Sequence, residues 1–215
     1  MSIRGKKWAV FIITMALLTI DQIIKFYIKL NFAYGQGFEI FGHSQWAQIL
    51  FIENNGMAFG MQFGGIVGKI FLSSFRLVLI GVLIWYIGRL ISKRRAPFGL
   101  VVGMTLVLVG AIGNMLDSAF YGLIFSESTY SDVATLVPFG KGYAPFMCGK
   151  VVDMFYFPMF HWVWPDWVPW VGGTEFEFFR PIFNFADACI TCGVIYMILF
   201  QRKFFAKKEE TIAAK

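Results

Sequence analysis

Charge is scarce in this chain. Asp, Glu, Lys and Arg make up 15% of its 215 residues, against about 25% in soluble domains. Cysteine is scarce too, and Cys148, Cys189 and Cys192 are too few for a disulfide scaffold. Two histidines, His43 and His161, leave little from which to build a metal site, so no metal or cofactor is expected. No internal repeat or low-complexity segment breaks the chain. What is abundant is apolar: 58% of residues are hydrophobic and 19% aromatic. That excludes a disordered chain, and it is more than a small soluble domain hides, so the chain reads as a membrane protein. A net charge of +6 would suit nucleic acid only if the basic residues shared one soluble face. They do not, and no nucleic-acid partner is expected.

Four stretches are apolar and long enough for a membrane helix of roughly 20 residues. They run over about 8–27, 66–91, 97–116 and 181–200. Asp21 and Lys25 interrupt the first, Lys69 and Arg76 lie early in the second, the third is uncharged, and Asp187 is the one charge in the fourth. The first lacks a small-residue cleavage site behind it and reads as a retained helix. Arg4, Lys6 and Lys7 precede it, Arg89, Lys93, Arg94 and Arg95 separate spans two and three, and Arg202, Lys203, Lys207, Lys208 and Lys215 follow span four. These are twelve of the nineteen basic residues, all on one side of a four-span arrangement. The positive-inside bias therefore predicts cytoplasmic termini and outward-facing loops at 28–65 and 121–180. In the first loop, Phe38–Phe63 mixes apolar residues, Gln and Gly as short strands do.

An ionisable group within a membrane span costs roughly 2.5–3.5 kcal/mol on insertion scales and marks function. Asp21 lies near the outer end of span one and Asp117 just after span three. Asp187, seven residues into span four, would sit ~10 Å below the outer surface. Asp153, in the apolar run Val151–Phe155, could reach the same level. Asn114 with Asp117, and Asn184 with Asp187, are three apart, a spacing that puts each pair on one helix face. Asp21 and Lys25, four apart, read as a structural ion pair. Asp153 and Asp187 are harder to explain structurally. Two neighbouring carboxylates in low dielectric share one proton more readily than they both ionise, which suits acid/base activation of water. The residues alone leave two classes open: a membrane aspartic protease, or a non-enzymatic lipid-binding or proton-coupled transport protein using the same carboxylates.

Five segments narrow the choice. Asp21-Gln22-Ile23-Ile24-Lys25, Asn54-Asn55-Gly56-Met57-Ala58-Phe59-Gly60 and Gly110-Ala111-Ile112-Gly113-Asn114-Met115-Leu116-Asp117 are followed by Gly149-Lys150-Val151-Val152-Asp153 and Phe183-Asn184-Phe185-Ala186-Asp187. Each is weak alone. Together, in this order and at these places relative to the spans, they make the chain resemble bacterial lipoprotein signal peptidase, signal peptidase II of the peptidase A8 family.

That resemblance implies a membrane all-α core of four transmembrane helices with a small outward-facing β-cradle and long periplasmic loops, in one integral-membrane domain over 1–215. It implies an aspartic endopeptidase of the bacterial inner membrane that cuts diacylated prolipoproteins just before the lipid-bearing cysteine. The catalytic aspartates would be Asp153 and Asp187. Asn54, Gly56, Asn114, Asp117 and Asn184 would line or support the pocket, and the inhibitor globomycin would occupy it. Two departures stand out. Ser118 replaces the arginine that the family usually carries after the aspartate matched by Asp117, with Arg180 as a candidate substitute. The stretches 118–152 and 154–183 are also longer than in typical members. Cys189 and Cys192 form a C-x-x-C pair inside span four, where packing is the expected role.

Overall fold

The computed structural model describes residues 1–42, 46–55, 65–92, 96–178, 180–202 and 204, with the backbone alone at 161, 177 and 178. Gly56, His43 and the basic residues 93–95, 203, 207, 208 and 215 lie outside the described residues. Helix α1 spans Ile3–Asn31, α2 Gly65–Ser92 and α3 Phe98–Leu116. A π-helical turn, Asp117–Tyr121, and a single helical turn α4, Gly122–Ile124, extend α3, and α5 spans Phe185–Phe200. The strands are β1 (Gly37–Glu39), β2 (Gln48–Asn54), β3 (Val151–Tyr156), β4 (Phe160–Val163), β5 (Glu175–Phe178) and β6 (Ile182–Phe183).

α1 outruns its expected span at both ends. Ser2 caps it by accepting the Gly5 N–H, and Lys6 is stabilised by donating to the Ala96 carbonyl at 2.8 Å. That contact also puts the first basic cluster and the α2–α3 connection at one end of the bundle. α2 is apolar nearly all round, with Val67, Phe71, Val78 and Trp85 more than half exposed, as expected of a helix surrounded by lipid. α1, α2 and α3 with its extension are long and apolar enough to cross a membrane.

The expected fourth span is shorter than its hydropathy predicted. Residues 182–183 pair with β3, and helix begins only at Phe185, leaving 16 residues, about 24 Å of helix. Asn184 is the cap and Asp187 the third helical residue, so Asp187 sits in the first turn rather than a third of the way down. The Asn184–Asp187 spacing is therefore that of a capping box, not of two residues on a helix face.

α3 is the hub, packing on α1, α2 and α5. Its glycines permit this. A Cβ at Gly110 would strike the Ala186 carbonyl, and one at Gly113 would lie 2.7 Å from Asp21 Oδ2. Small residues bring membrane helices together in this way.

The strands form an antiparallel sheet in the order β1-β2-β3-β6 at the end of the bundle away from the first basic cluster. Ile52 faces Asp153 and Asn54 faces Val151, with an irregularity between Ile49 and Ile52. Ile28, Phe51, Tyr121, Phe125, Val152 and Met154 fill the space between this sheet and α1. The β4–β5 hairpin is separate, and Trp162, Trp164 and Phe176 stack along it.

Candidate active site

Two layers of polar groups meet where the sheet joins the bundle. The lower layer is an ion cluster in which Asp21, Lys25 and Asp117 have no exposed surface. Lys25 Nζ lies 3.1 Å from Asp21 and 2.8 Å from Asp117. Burying three charges is unfavourable unless their remaining hydrogen-bonding capacity is met, and here it is. Asp21 Oδ1 accepts the Ala186 N–H, Asp117 Oδ2 accepts the Val152 N–H, and Gln22 Nε2 donates to both carboxylates. Each carboxylate thus pins a backbone segment adjacent to one of the dyad aspartates. The ion pair expected between Asp21 and Lys25 is present, extended to a triad by Asp117.

The upper layer holds Asp153 and Asp187. Asp153 is presented by β3, and Asp187 by the first turn of α5. Two asparagines join them. Asn184 Nδ2 donates to Asp153 Oδ1 at 2.6 Å and to Asn114 Oδ1 at 3.1 Å, and the Asn184 N–H donates to Asp187 Oδ2 at 3.3 Å. Asn114 Nδ2 donates to Asp187 Oδ1 at 2.7 Å, while its own Oδ1 also accepts from Lys25 at 3.0 Å. Asn54, at the end of β2, hydrogen-bonds the Asp153 carboxylate.

Burial pushes the Asp153 carboxyl up from 3.8 to about 7, with the Asp187 charge adding to the rise and the Asn184 and Asn54 hydrogen bonds opposing it. A carboxyl poised near neutrality beside a second carboxylate has the properties of an acid/base pair. Among the described residues no three of His, Cys, Asp and Glu converge as metal ligands would.

The sequence-selected residues Asp21, Lys25, Asn54, Asn114, Asp117, Asp153, Asn184 and Asp187 therefore share one connected network; Gly56 is outside the described residues. Ser118 is buried and its hydroxyl donates to the Asn114 carbonyl. Arg180 is exposed before β6, and Arg76 of α2 also feels the Asp187 charge. Sequence reasoning missed Gln22, although it sits within the Asp21–Lys25 segment. It also missed Lys29, which continues the Asp21–Lys25 spacing by four residues and is buried in an ion pair with Glu53.

Residues 13–203 match the family model for signal peptidase (SPase) II. The lipoprotein signal peptidase of Porphyromonas gingivalis strain ATCC 33277 is 44% identical over 196 residues, covering 91% of this chain and 83% of that protein. The lipoprotein signal peptidase of Amoebophilus asiaticus is 34% identical over 197 residues, covering 92% and 79%. A solved bacterial membrane enzyme superposes with a TM-score of 0.57 at 22% identity, covering 93% of this chain and 91% of its own, a likeness of fold. Matched over nearly its whole length by the family model and by these relatives, the chain belongs to the signal peptidase II family of peptidases.

Proposed function

We propose that the chain, which as a signal peptidase II removes signal peptides from prolipoproteins, does so with a water held between Asp153 and Asp187. The observation that carries this reading is the asparagine bridge between two carboxylates of which one, Asp153, is poised near neutrality. Ionised Asp187 takes a proton from the water as its oxygen attacks the scissile carbonyl. Protonated Asp153 hydrogen-bonds the carbonyl oxygen and stabilises the charge developing there. The tetrahedral intermediate then expels the amine, which leaves with a proton from the dyad. No covalent enzyme intermediate forms. Asn114 and Asn184 hold the carboxylates in register, and the Asp21–Lys25–Asp117 cluster fixes the segments that carry them.

In this reading α5 is a fourth span, the basic ends are cytoplasmic and the sheet faces the periplasm. The positive-inside bias supports that orientation, as does the contact of Lys6 with Ala96, which sets the first basic cluster beside the start of α3. The substrate's acyl chains stay in the bilayer while the peptide enters beside α3, and cleavage falls just before the diacylated cysteine. Globomycin would occupy the same groove. Purified protein given a diacylated prolipoprotein peptide tests this: one cut upstream of the lipid-bearing cysteine, lost on Asp153→Asn or Asp187→Asn, is expected. No cut, with folding intact, would favour a non-enzymatic lipid-binding or transport role.

A further inference from the structure

Asn55, Lys69, Glu127, Tyr143 and Lys150 line a cavity of about 370 Å³ beside the start of β3, a volume in the range of small-ligand sites. The two-aspartate mechanism does not use it, yet it is tied to the dyad on two sides. Asn55 follows Asn54, which hydrogen-bonds the Asp153 carboxylate. Lys150 stands three residues before Asp153, and its backbone N–H donates to the Tyr143 hydroxyl at 2.6 Å. Three residues of extended chain span about 10 Å, so the cavity lies within a few substrate residues of the reacting bond.

It lies toward the sheet end of the molecule. Ser73 of α2 donates to the Met147 carbonyl at 3.0 Å, and the Met147 N–H donates to the Ala119 carbonyl, so Ser73 stands level with the π-helical turn beyond α3. Lys69 is one helical turn nearer the sheet, about 6 Å. Asn114, which holds Asp187, lies more than a turn the other way.

The charges around the cavity do not balance. Glu53 pairs with Lys29 and, at 3.4 Å, with Lys150, which also reaches Glu127 at 3.2 Å. Those four charges neutralise one another. Lys69 is the fifth. It donates to the neutral Asn55 amide oxygen at 3.0 Å, and among the described residues no carboxylate pairs with it. Residues 56–64, which join Asn55 to α2, carry no charge. An ammonium has three protons to donate, so Lys69 offers further donors and one uncompensated positive charge to whatever enters the cavity.

We infer that the cavity is a specificity subsite for the mature part of the prolipoprotein, in which Lys69 receives the carboxylate of an Asp or Glu two to four residues beyond the lipid-bearing cysteine. The inference rests on the two-aspartate reading proposed above and adds to it a feature of the substrate sequence. The apolar signal peptide and the acyl chains stay with the bilayer, so the chain beyond the cysteine is the part that leaves toward the sheet. Extended, it advances about 3.3 Å per residue, which brings its second to fourth residues to the cavity. A charge-assisted hydrogen bond from an ammonium to a carboxylate is stronger than one to a neutral amide, so the subsite discriminates Glu from Gln.

The test uses the full-length protein in detergent and diacylated prolipoprotein peptides carrying Glu, Gln or Lys at the second, third or fourth residue beyond the cysteine. At one of these positions kcat/KM for the Glu peptide exceeds that for the Gln peptide by about tenfold, chiefly through KM, and the Lys peptide is poorer than both. Lys69→Glu reverses the order, making the Lys peptide the better substrate. Equal kcat/KM for the three peptides at every position in the wild-type enzyme overturns the inference, and that series needs no variant to fold. A Glu preference that survives Lys69→Glu overturns it too. So does Lys69-dependent binding of phosphatidylglycerol without a peptide preference, which assigns the cavity to a lipid phosphate. Peptide binding to Asp153→Asn, followed by fluorescence anisotropy, shows the same Glu, Gln, Lys order in the absence of cleavage. No cut in any peptide, or turnover by Asp153→Asn at the wild-type rate, is instead a failure of the two-aspartate mechanism, and the binding order in Asp153→Asn still decides for or against Lys69.

Discussion

Replacing Asp153 by Asn separates what this carboxyl does for chemistry from what it costs the fold. The side chain keeps its shape, and its oxygen still accepts the Asn184 amide that reaches Asp153 at 2.6 Å. What disappears is the charge. The native carboxyl is pushed from 3.8 up to about 7 by burial and by Asp187. The folded protein therefore binds the proton more tightly than the unfolded chain, and this group's contribution to stability is most favourable below pH 4 and is lost as pH rises from about 4 to about 7. At about 1.4 kcal/mol per pH unit, the interval amounts to about 4 kcal/mol, an upper bound on what the substitution returns. Thermal unfolding in detergent should show Asp153→Asn several degrees above wild type at pH 8 and indistinguishable from it at pH 4. Cleavage of a diacylated prolipoprotein peptide by the same preparation should fall by about 10²–10⁴, the usual scale of acid/base catalysis. A well-folded variant that turns over near the wild-type rate would sink the mechanism. A stability difference that ignores pH would sink the account of the carboxyl's environment.

The remaining expectations concern the support around the dyad and the frame that carries it. Lys25→Met leaves Asp21 and Asp117 buried without their cation and should lower stability by about 3–5 kcal/mol, read as a large drop in unfolding temperature; Asp21→Asn, which leaves Lys25 its second partner, should cost less. Gly113→Ala puts a methyl 2.7 Å from Asp21 Oδ2 and should cost about 1–3 kcal/mol, lowering both stability and cleavage as α3 is pushed from α1. Trp167 is 81% and Trp170 100% exposed, as suits rings resting at a membrane interface. Trp167→Ala should raise KM for a lipidated substrate without changing unfolding, whereas Trp164→Ala, which loses its packing on Trp162 and Phe176, should loosen the hairpin. Reporter fusions after Lys93 and Lys208 should behave as cytoplasmic, and those near Gly42 and Gly140 as external; an external reading at Lys93 would dismantle the four-span topology.

Hydropathy by itself determined that helices lie near 8–27, 66–91 and 97–116, because lipid demands long uninterrupted apolar runs whatever they pack against. Polar residues in or beside apolar runs singled out Asp21, Lys25, Asn114, Asp117, Asp153, Asn184 and Asp187, since a charge retained in so apolar a setting needs a partner, whereas Asn54 came only from the family resemblance and Gln22 and Lys29 were missed. Other features had no local signature. The fourth helix starts at Phe185 because residues 182–183 pair with β3, and hydropathy cannot tell a strand joined to a sheet from the first turn of a span. Asp117 gives no sign in sequence of whether it meets substrate or Lys25; the close approach of α1 and α3 at Gly113 decides for Lys25. Periodicity fixes which face of a helix a residue occupies; packing depth fixes what it meets. That depth was decided by contacts as distant in the chain as Lys6 with Ala96 and Asp21 with Ala186.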